Sequence, residues 1–180
     1  MDKKLTIFID SGDTLIDEGT EVHERDSELV LKADLIPGAK ETIIDLKEKG
    51  YKIIMVADGL RQSFINVYKQ HDLYDHYDGH IYSEDIGVNK PDKKMFEAAL
   101  TAAGLTSDDC HRVVMVGNNL SRDIKGANNM NMISIHLAWS PRYPKNATHE
   151  SEIPDYVINH PVELVGLVEK LNDEIESQWN

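Results

Sequence analysis

Short apolar runs alternate along the chain with segments whose apolar residues have helical spacing. The apolar runs lie at residues 5–10, 51–57, 80–83, 112–117, 132–137 and 156–158. The helical segments lie at residues 37–50, 60–71, 91–103, 120–130 and 162–172. Continuous apolar runs of this length are typical of strands buried on both faces, and strands that alternate with helices favour a parallel sheet. The pattern therefore predicts an α/β fold, a doubly wound and mostly parallel sheet with helices on both faces.

Two segments of the chain follow neither pattern. Residues 15–36 are irregular and acidic, and residues 139–154 form a long loop that contains Pro141, Pro144 and Pro154. We expect residues 15–36 to be a short flap whose acidic stretch is a solvated face. Because no repeat, low-complexity tract or linker divides the chain, we predict a single domain over residues 1–180.

Composition narrows the classes of function. The chain has 180 residues and a formal net charge of −13, which disfavours nucleic acid and anionic membranes as partners. The single cysteine, Cys110, allows no disulfide within the chain and no thiolate metal cluster. The first apolar run is too short for a signal peptide, and no run approaches the length of a membrane span. These features predict a cytoplasmic protein.

Polar residues that can carry chemistry follow the predicted strands. Asp10 ends the first run and opens the sequence Asp-Ser-Gly-Asp-Thr-Leu at residues 10–15. Asp-Gly follows the second run at residues 58–59, Lys90 precedes a helix, and a polar segment at residues 117–123 follows the fourth run. In a parallel sheet, these segments converge on one edge. A carboxylate nucleophile, an ammonium and oxygen ligands for a divalent ion are what phosphoryl transfer to aspartate requires, because cations let one anion attack another.

With these motifs the chain resembles the haloacid dehalogenase-like (HAD) hydrolase superfamily. The resemblance rests on Asp-x-x-x-Thr-Leu at residues 10–15, Lys-Pro-Asp at residues 90–92 and Gly-Asn-Asn-Leu-Ser-Arg-Asp at residues 117–123. It extends from the first strand to at least Met130, which is most of the chain. It implies a HAD-like fold and a magnesium-dependent phosphatase, with Mg²⁺ as the cofactor and a phosphorylated substrate as the partner.

The resemblance also implies a role for each matching residue. Asp10 corresponds to the nucleophile that forms an aspartyl-phosphate and binds Mg²⁺. Lys90 corresponds to the residue that pairs with this nucleophile and with the phosphate. The main-chain carbonyl of Gly12 and the side chains of Asn118 and Asp123 correspond to the other metal ligands.

The chain departs from the family pattern at three positions. Gly12 stands where the phosphatases have a second Asp, whose acid–base help is worth roughly 10²–10⁴-fold. Asp13 is the candidate replacement, with local hydrogen bonding in a turn as the alternative. Ala57 replaces a Ser or Thr that binds phosphate, although the amides that follow it can still bind an anion. Asn118 replaces an acidic ligand, which lowers the expected affinity for the metal. We predict that substrate binds to Ala57, Asp58, Gly59, Lys90 and Asn119.

Two functions stay open at this point. The first is a Mg²⁺-dependent HAD-like phosphatase that acts on a phosphate monoester through an aspartyl-phosphate at Asp10. The second is a catalytically weakened phosphate-binding or regulatory protein on the same fold, which the departures at Gly12, Ala57 and Asn118 favour. No cap domain fits between the motifs, so we expect an open site for a large or projecting substrate, or a cap from a partner subunit. The oligomeric state stays open.

Overall fold

A parallel sheet is the centre of the computed structural model, which describes residues 5–178. The strands are β1 (Thr6–Ile9), β2 (Val22–His23), β3 (Val30–Lys32), β4 (Lys52–Ala57), β5 (Gly79–Tyr82), β6 (Val113–Gly117), β7 (Ile133–Leu137) and β8 (Tyr156–Ile158). Six of them pair in parallel in the order β5–β4–β1–β6–β7–β8, and β2 and β3 form a separate antiparallel hairpin. The predicted parallel α/β sheet is confirmed.

Helices cover the two faces of this sheet. They are α1 (Ala39–Glu48), α2 (Arg61–Gln70), α3 (Ser83–Ile86), α4 (Lys93–Ala103), α5 (Lys125–Asn129) and α6 (Glu163–Gln178). The sequence pattern missed α3 and the β2–β3 hairpin, because such short elements show no measurable period. It also ended the last helix too early, at Asn172. None of the helices among residues 5–178 has the length and apolar character needed to span a bilayer.

Alternation along the central strands divides the core into two layers. In β1, Ile7 and Ile9 pack into the layer with α1, α2 and α6, whereas Phe8 packs into the layer with α4 and α5. The same division holds in β4, where Met55 faces the first layer and Val56 the second. Since both faces of these strands are buried, their continuous apolar runs follow from the fold.

The order of the strands places three loops side by side. Phe8 of β1 pairs with Ile54 of β4 on one side and with Met115 of β6 on the other. Because all three strands run in the same direction, the loops that follow them meet at one edge of the sheet. This edge is where the predicted site residues lie.

The packing of α5 beneath this edge gives a first prediction. A Cβ atom at Gly126 would overlap the buried ring of Phe96, whereas one at Gly166 of α6 would have no atom within 4 Å. We expect Gly126→Ala to lower the free energy of unfolding by about 1–3 kcal/mol through overpacking. The control, Gly166→Ala, gains helix propensity and should raise it by about 0.5–1 kcal/mol. Urea unfolding measures both, and a stabilising Gly126→Ala would contradict this packing.

Candidate active site

The ammonium group of Lys90 joins two carboxylates at the edge of the sheet. Its Nζ atom lies 2.9 Å from Asp10 Oδ1 and 2.7 Å from Asp123 Oδ1. It also donates a hydrogen bond of 2.7 Å to the carbonyl oxygen of Val56, in β4. The side chains of Lys90 and Asp123 are each 1% exposed, and that of Asp10 is 13% exposed. Only Asp10 therefore presents part of its carboxylate to solvent.

These charges change one another's proton affinity. Burial works to lower the pKa of Lys90, but the carboxylates of Asp10 and Asp123 outweigh it and raise the pKa above its ordinary value. Burial, together with the nearby Asp10 carboxylate, raises the pKa of Asp123, although Lys90 opposes this change. Lys90 is consequently a permanent cation at neutral pH.

The segment after β6 brings two further residues to the cluster. A π-helical turn at Leu120–Ile124 begins after Asn119. The backbone amide of Asn119 donates a 3.0 Å hydrogen bond to Asp123 Oδ2. The buried Asn118 lies opposite the turn that follows β1, where the Thr14 hydroxyl is 3.5 Å from its Oδ1 atom. The same hydroxyl is 3.4 Å from Asp10 Oδ2.

A cavity of about 600 Å³ opens beside these residues. It is lined by residues of the predicted site, namely Asp10, Gly12, Asp58, Gly59, Lys90, Asn118, Asn119 and Asp123. The segment predicted to be a flap supplies other parts of the wall, including His23 and Val30 from the hairpin. The structure thus brings together eight of the predicted positions in one cavity.

Two of the residues predicted to bind phosphate are differently placed. Ala57 is buried at the end of β4 and lies outside the cavity wall. The amide of Gly59, predicted to cradle the phosphate, donates a 2.8 Å hydrogen bond to the hydroxyl of Ser83. Ala57 is therefore enclosed, and Gly59 lines the cavity with its backbone amide already bonded, so neither presents a free hydrogen-bond donor to the cavity. The side chain of Asp58 accepts a 2.9 Å hydrogen bond from the amide of Lys90.

Asp13 points away from the cavity, contrary to the prediction that it replaces the missing acid–base residue. It has a φ of +52°, a conformation that Asp tolerates better than most residues. Its fully buried carboxylate accepts hydrogen bonds of 2.7–2.9 Å from Arg142 and 2.7 Å from Ser140. Burial works to raise the pKa of Asp13, but the hydrogen bonds from these two side chains outweigh it and lower the pKa. The alternative role within a turn agrees with this geometry.

Sequence reasoning missed several side chains in the cavity wall, among them Glu18 and Tyr143. The Tyr143 hydroxyl donates to the Glu18 carboxyl group, at 3.1 Å from Oε1 and 2.9 Å from Oε2. Burial, helped by the charges of Asp13, Glu21 and Asp10, raises the pKa of Glu18 to about 7 against the opposing hydrogen bond from Tyr143. The expectation that the acidic stretch is a solvated face is wrong for Glu18 and Glu21, which are half-buried in the wall. An acidic composition contains no signal that separates these two from their exposed neighbours.

The contact between Asp13 and Arg142 gives a prediction about stability and pH. Arg142→Met leaves the buried Asp13 carboxylate short of partners, so we expect a loss of about 1–3 kcal/mol in the free energy of unfolding at pH 7. Because the pKa of Asp13 is lower in the folded protein than in the unfolded chain, this contribution is complete above about pH 4 and fades as the pH falls through the lowered value.

Urea unfolding at pH 7 and at a series of lower pH values measures how the cost of Arg142→Met changes as Asp13 takes up a proton. Lys145→Met, which removes an exposed cation from the same loop, is the control and should have little effect at any of these pH values. A cost of Arg142→Met that does not fall as the pH is lowered towards acid unfolding would contradict the assignment.

Comparison with known proteins extends these observations. A family model described as haloacid dehalogenase-like hydrolase matches residues 1–131. The glyceraldehyde 3-phosphate phosphatase of Methanopyrus kandleri is 29% identical over 138 residues, which cover 77% of this chain and 56% of that protein. Pyrophosphatase PpaX of Bacillus mycoides is 27% identical over 150 residues, which cover 83% of this chain and 66% of that protein. The chain thus spans a little over half the length of the first relative.

Solved structures show the same fold. A HAD phosphatase from Thermococcus onnurineus aligns with a TM-score of 0.72 at 19% identity, covering 91% of this chain and 97% of that one. A HAD-superfamily hydrolase from Ehrlichia chaffeensis aligns with a TM-score of 0.72 at 18% identity, covering 95% and 98%. Since the family model matches well over half of the chain, this protein belongs to the haloacid dehalogenase-like hydrolases.

Proposed function

We propose that the protein is a Mg²⁺-dependent phosphatase that hydrolyses a phosphate monoester through an aspartyl-phosphate at Asp10. The observation that carries this proposal is the buried Lys90 ammonium, held between the carboxylates of Asp10 and Asp123 beside a cavity. The names of two relatives, a glyceraldehyde 3-phosphate phosphatase and a pyrophosphatase, support hydrolysis of a phosphate compound.

Asp10 is suited to act as the nucleophile. Lys90 holds its Oδ1 atom at 2.9 Å, while Oδ2 has only a long contact of 3.4 Å with the Thr14 hydroxyl. The Oδ2 atom therefore keeps lone pairs available for attack on phosphorus. The bond from Lys90 to Oδ1 fixes the plane of the carboxylate. Such preorganisation removes much of the entropic cost of bringing nucleophile and substrate together.

Lys90 supplies positive charge where the phosphoryl group is transferred. Its raised pKa keeps it protonated, so its charge needs no adjustment during the reaction. Arg122 adds a second cationic side chain to the cavity wall, where it lies 3.4 Å from Asp58 Oδ2. These cations offset the negative charge of an incoming phosphate.

The residues at this edge fit a magnesium ion. Asp10, the Gly12 carbonyl, Asn118 and Asp123 are hard oxygen donors that line one cavity, which is the chemistry that Mg²⁺ prefers. Within residues 5–178, Asn118 Nδ2 is buried without a hydrogen-bond partner. The oxygen and nitrogen of an Asn amide are distinguished only by their hydrogen bonds. With the two atoms of Asn118 exchanged, its oxygen is the atom without a partner and can bind a cation.

The metal supplies charge that this cluster lacks. When both carboxyl groups are ionised, the group of Asp10, Asp123 and Lys90 has two negative charges and one positive charge, so its net charge is negative. When bound, Mg²⁺ reverses that sign and stabilises charge on the transferring oxygens. Among the described residues, no three His, Cys, Asp or Glu side chains are grouped to hold a metal. The Gly12 carbonyl and the Asn118 amide would therefore add neutral oxygen ligands to the carboxylates of Asp10 and Asp123.

The size of the cavity bears on the substrate. About 600 Å³ lies within the range of sites that bind small molecules, roughly 300–1,000 Å³. The β2–β3 hairpin contributes part of the wall in place of a cap domain. We propose a small phosphate monoester as the substrate, in place of the large or projecting substrate that the sequence led us to expect.

The nucleophile is tested by Asp10→Asn in the presence of Mg²⁺. The amide cannot form a stable acyl phosphate, so turnover of a panel of phosphorylated metabolites should fall by several orders of magnitude. Asp26→Asn, which changes an exposed residue outside the cavity, is the matched control and should keep the wild-type rate. Equal turnover by Asp10→Asn and the wild type would contradict the mechanism, whereas no turnover by the wild type would favour the phosphate-binding alternative.

The ligand set is tested by the dependence of the rate on Mg²⁺. Chelation with EDTA should abolish turnover, and added Mg²⁺ should restore it. Asn118→Asp adds a charged ligand, so its half-maximal rate should require several-fold less Mg²⁺ than the wild type. The control is Asn131→Asp, an exposed residue in a turn, whose Mg²⁺ dependence should match the wild type. Persistent turnover in EDTA would rule out the metal.

A further inference from the structure

The carboxyl group of Glu18 occupies the space that a side chain at residue 12 would fill. A Cβ atom built on Gly12 would overlap Glu18 Oε1, and it would lie 3.0 Å from Cδ and 3.1 Å from Cγ of the same side chain. These three atoms are the nearest neighbours of that position. The absence of a side chain at Gly12 therefore makes room for a carboxyl group that comes from another part of the chain.

Two contacts hold Glu18 in this place. Its backbone amide donates a 3.1 Å hydrogen bond to Asp13 Oδ1, which Arg142 also contacts. The hydroxyl of Tyr143 bonds to both of its carboxyl oxygens. Glu18 is thus fixed at its backbone by the turn after β1 and at its carboxyl group by the loop that contains Tyr143.

Other acidic residues in the cavity are engaged differently. Asp10 and Asp123 are paired with the Lys90 ammonium. Asp58 bonds to the amide of Lys90 and lies close to Arg122, and Glu21 pairs with His23 at 3.2 Å. Among the described acidic residues of the wall, Glu18 and Glu28 form no ion pair. Glu28 is exposed, whereas Glu18 is half-buried and bonds through its carboxyl group to the neutral phenol of Tyr143. The place of its carboxyl group, in the cavity wall beside Gly12, is where an acid–base residue could reach a bound substrate.

We propose that Glu18 is the catalytic acid–base residue of this site. This proposal rests on the phosphatase function proposed above. In the first step, an Asp10 oxygen bonds to phosphorus, the bond from phosphorus to the leaving oxygen breaks, and the Glu18 carboxyl proton passes to that oxygen. In the second step, a water oxygen bonds to phosphorus, the bond from phosphorus to Asp10 breaks, and a water proton returns to Glu18. Each cycle converts one ester and one water into one alcohol and one phosphate.

Substrates with different leaving groups test this role. Glycerol phosphate has a poor alkoxide leaving group that needs a proton, whereas p-nitrophenyl phosphate has a good one. With Mg²⁺ present, Glu18→Gln should turn over glycerol phosphate roughly 10²–10⁴-fold more slowly than the wild type. On p-nitrophenyl phosphate it should release a burst of one nitrophenolate per protein and then turn over slowly, because loss of the base stalls hydrolysis of the aspartyl-phosphate.

Restoring a carboxylate at the neighbouring position provides a second test. Glu18→Ala empties the space next to Gly12, and Gly12→Asp in that background places a new carboxyl group there. The double variant should recover a large part of the rate that Glu18→Ala loses on glycerol phosphate. Glu24→Gln, an exposed residue outside the cavity wall, is the matched control and should keep both wild-type rates. Thermal unfolding of every variant separates a loss of folding from a loss of chemistry.

The outcomes separate this inference from the function on which it rests. If Asp10→Asn is inactive but Glu18→Gln stays within about twofold of the wild type on glycerol phosphate, the phosphatase stands and the role of Glu18 is overturned. Equal losses on both substrates without a burst, or no rescue in the double variant, also overturn it. A wild-type protein without phosphatase activity overturns both proposals.

Discussion

One buried ammonium between two carboxylates is the constraint on which this active-site edge depends. A lone charge as deeply buried as that of Lys90 would cost several kcal/mol, so the protein must place compensating groups around it. Asp10 follows β1, Asp123 follows β6, and the Val56 carbonyl belongs to β4. The charge therefore fixes the ends of three neighbouring strands, while one carboxylate oxygen of Asp10 stays open to the cavity.

The turn after β1 distributes its side chains in two directions. Asp10 faces the cavity, whereas Asp13 is directed to Arg142 in the long loop at residues 139–154. Gly12 lies between them without a side chain, and the carboxyl group of Glu18 fills that space. A glycine at position 12 is thus accompanied by a carboxyl group from a residue six positions later in the chain. The flap and the long loop, both irregular in sequence, supply the contacts that hold this arrangement.

Particular residues show what the sequence could predict. Asp10, Asn118 and Asp123 each follow their own strand, and the carboxyl ends of parallel strands meet, so their convergence with Lys90 followed from the apolar pattern and the motifs. The direction of the Asp13 side chain could not be predicted in this way, because it depends on the φ of +52° that Asp13 adopts in the turn. Its bonds to Arg142 join residues 129 positions apart through a loop without periodicity. The bond from the Gly59 amide to Ser83 likewise depends on α3, which is too short to leave a pattern.

The most direct test of the central claim is to find which residue carries the phosphoryl group during turnover. The protein is mixed with p-nitrophenyl phosphate and Mg²⁺, quenched in acid within the first turnovers, digested, and mapped by mass spectrometry. Our account predicts a phosphoryl group on the peptide that contains β1, at Asp10, with Lys90 in its unmodified form. Turnover without a phosphorylated Asp10, or with the phosphoryl group on another residue, would contradict it.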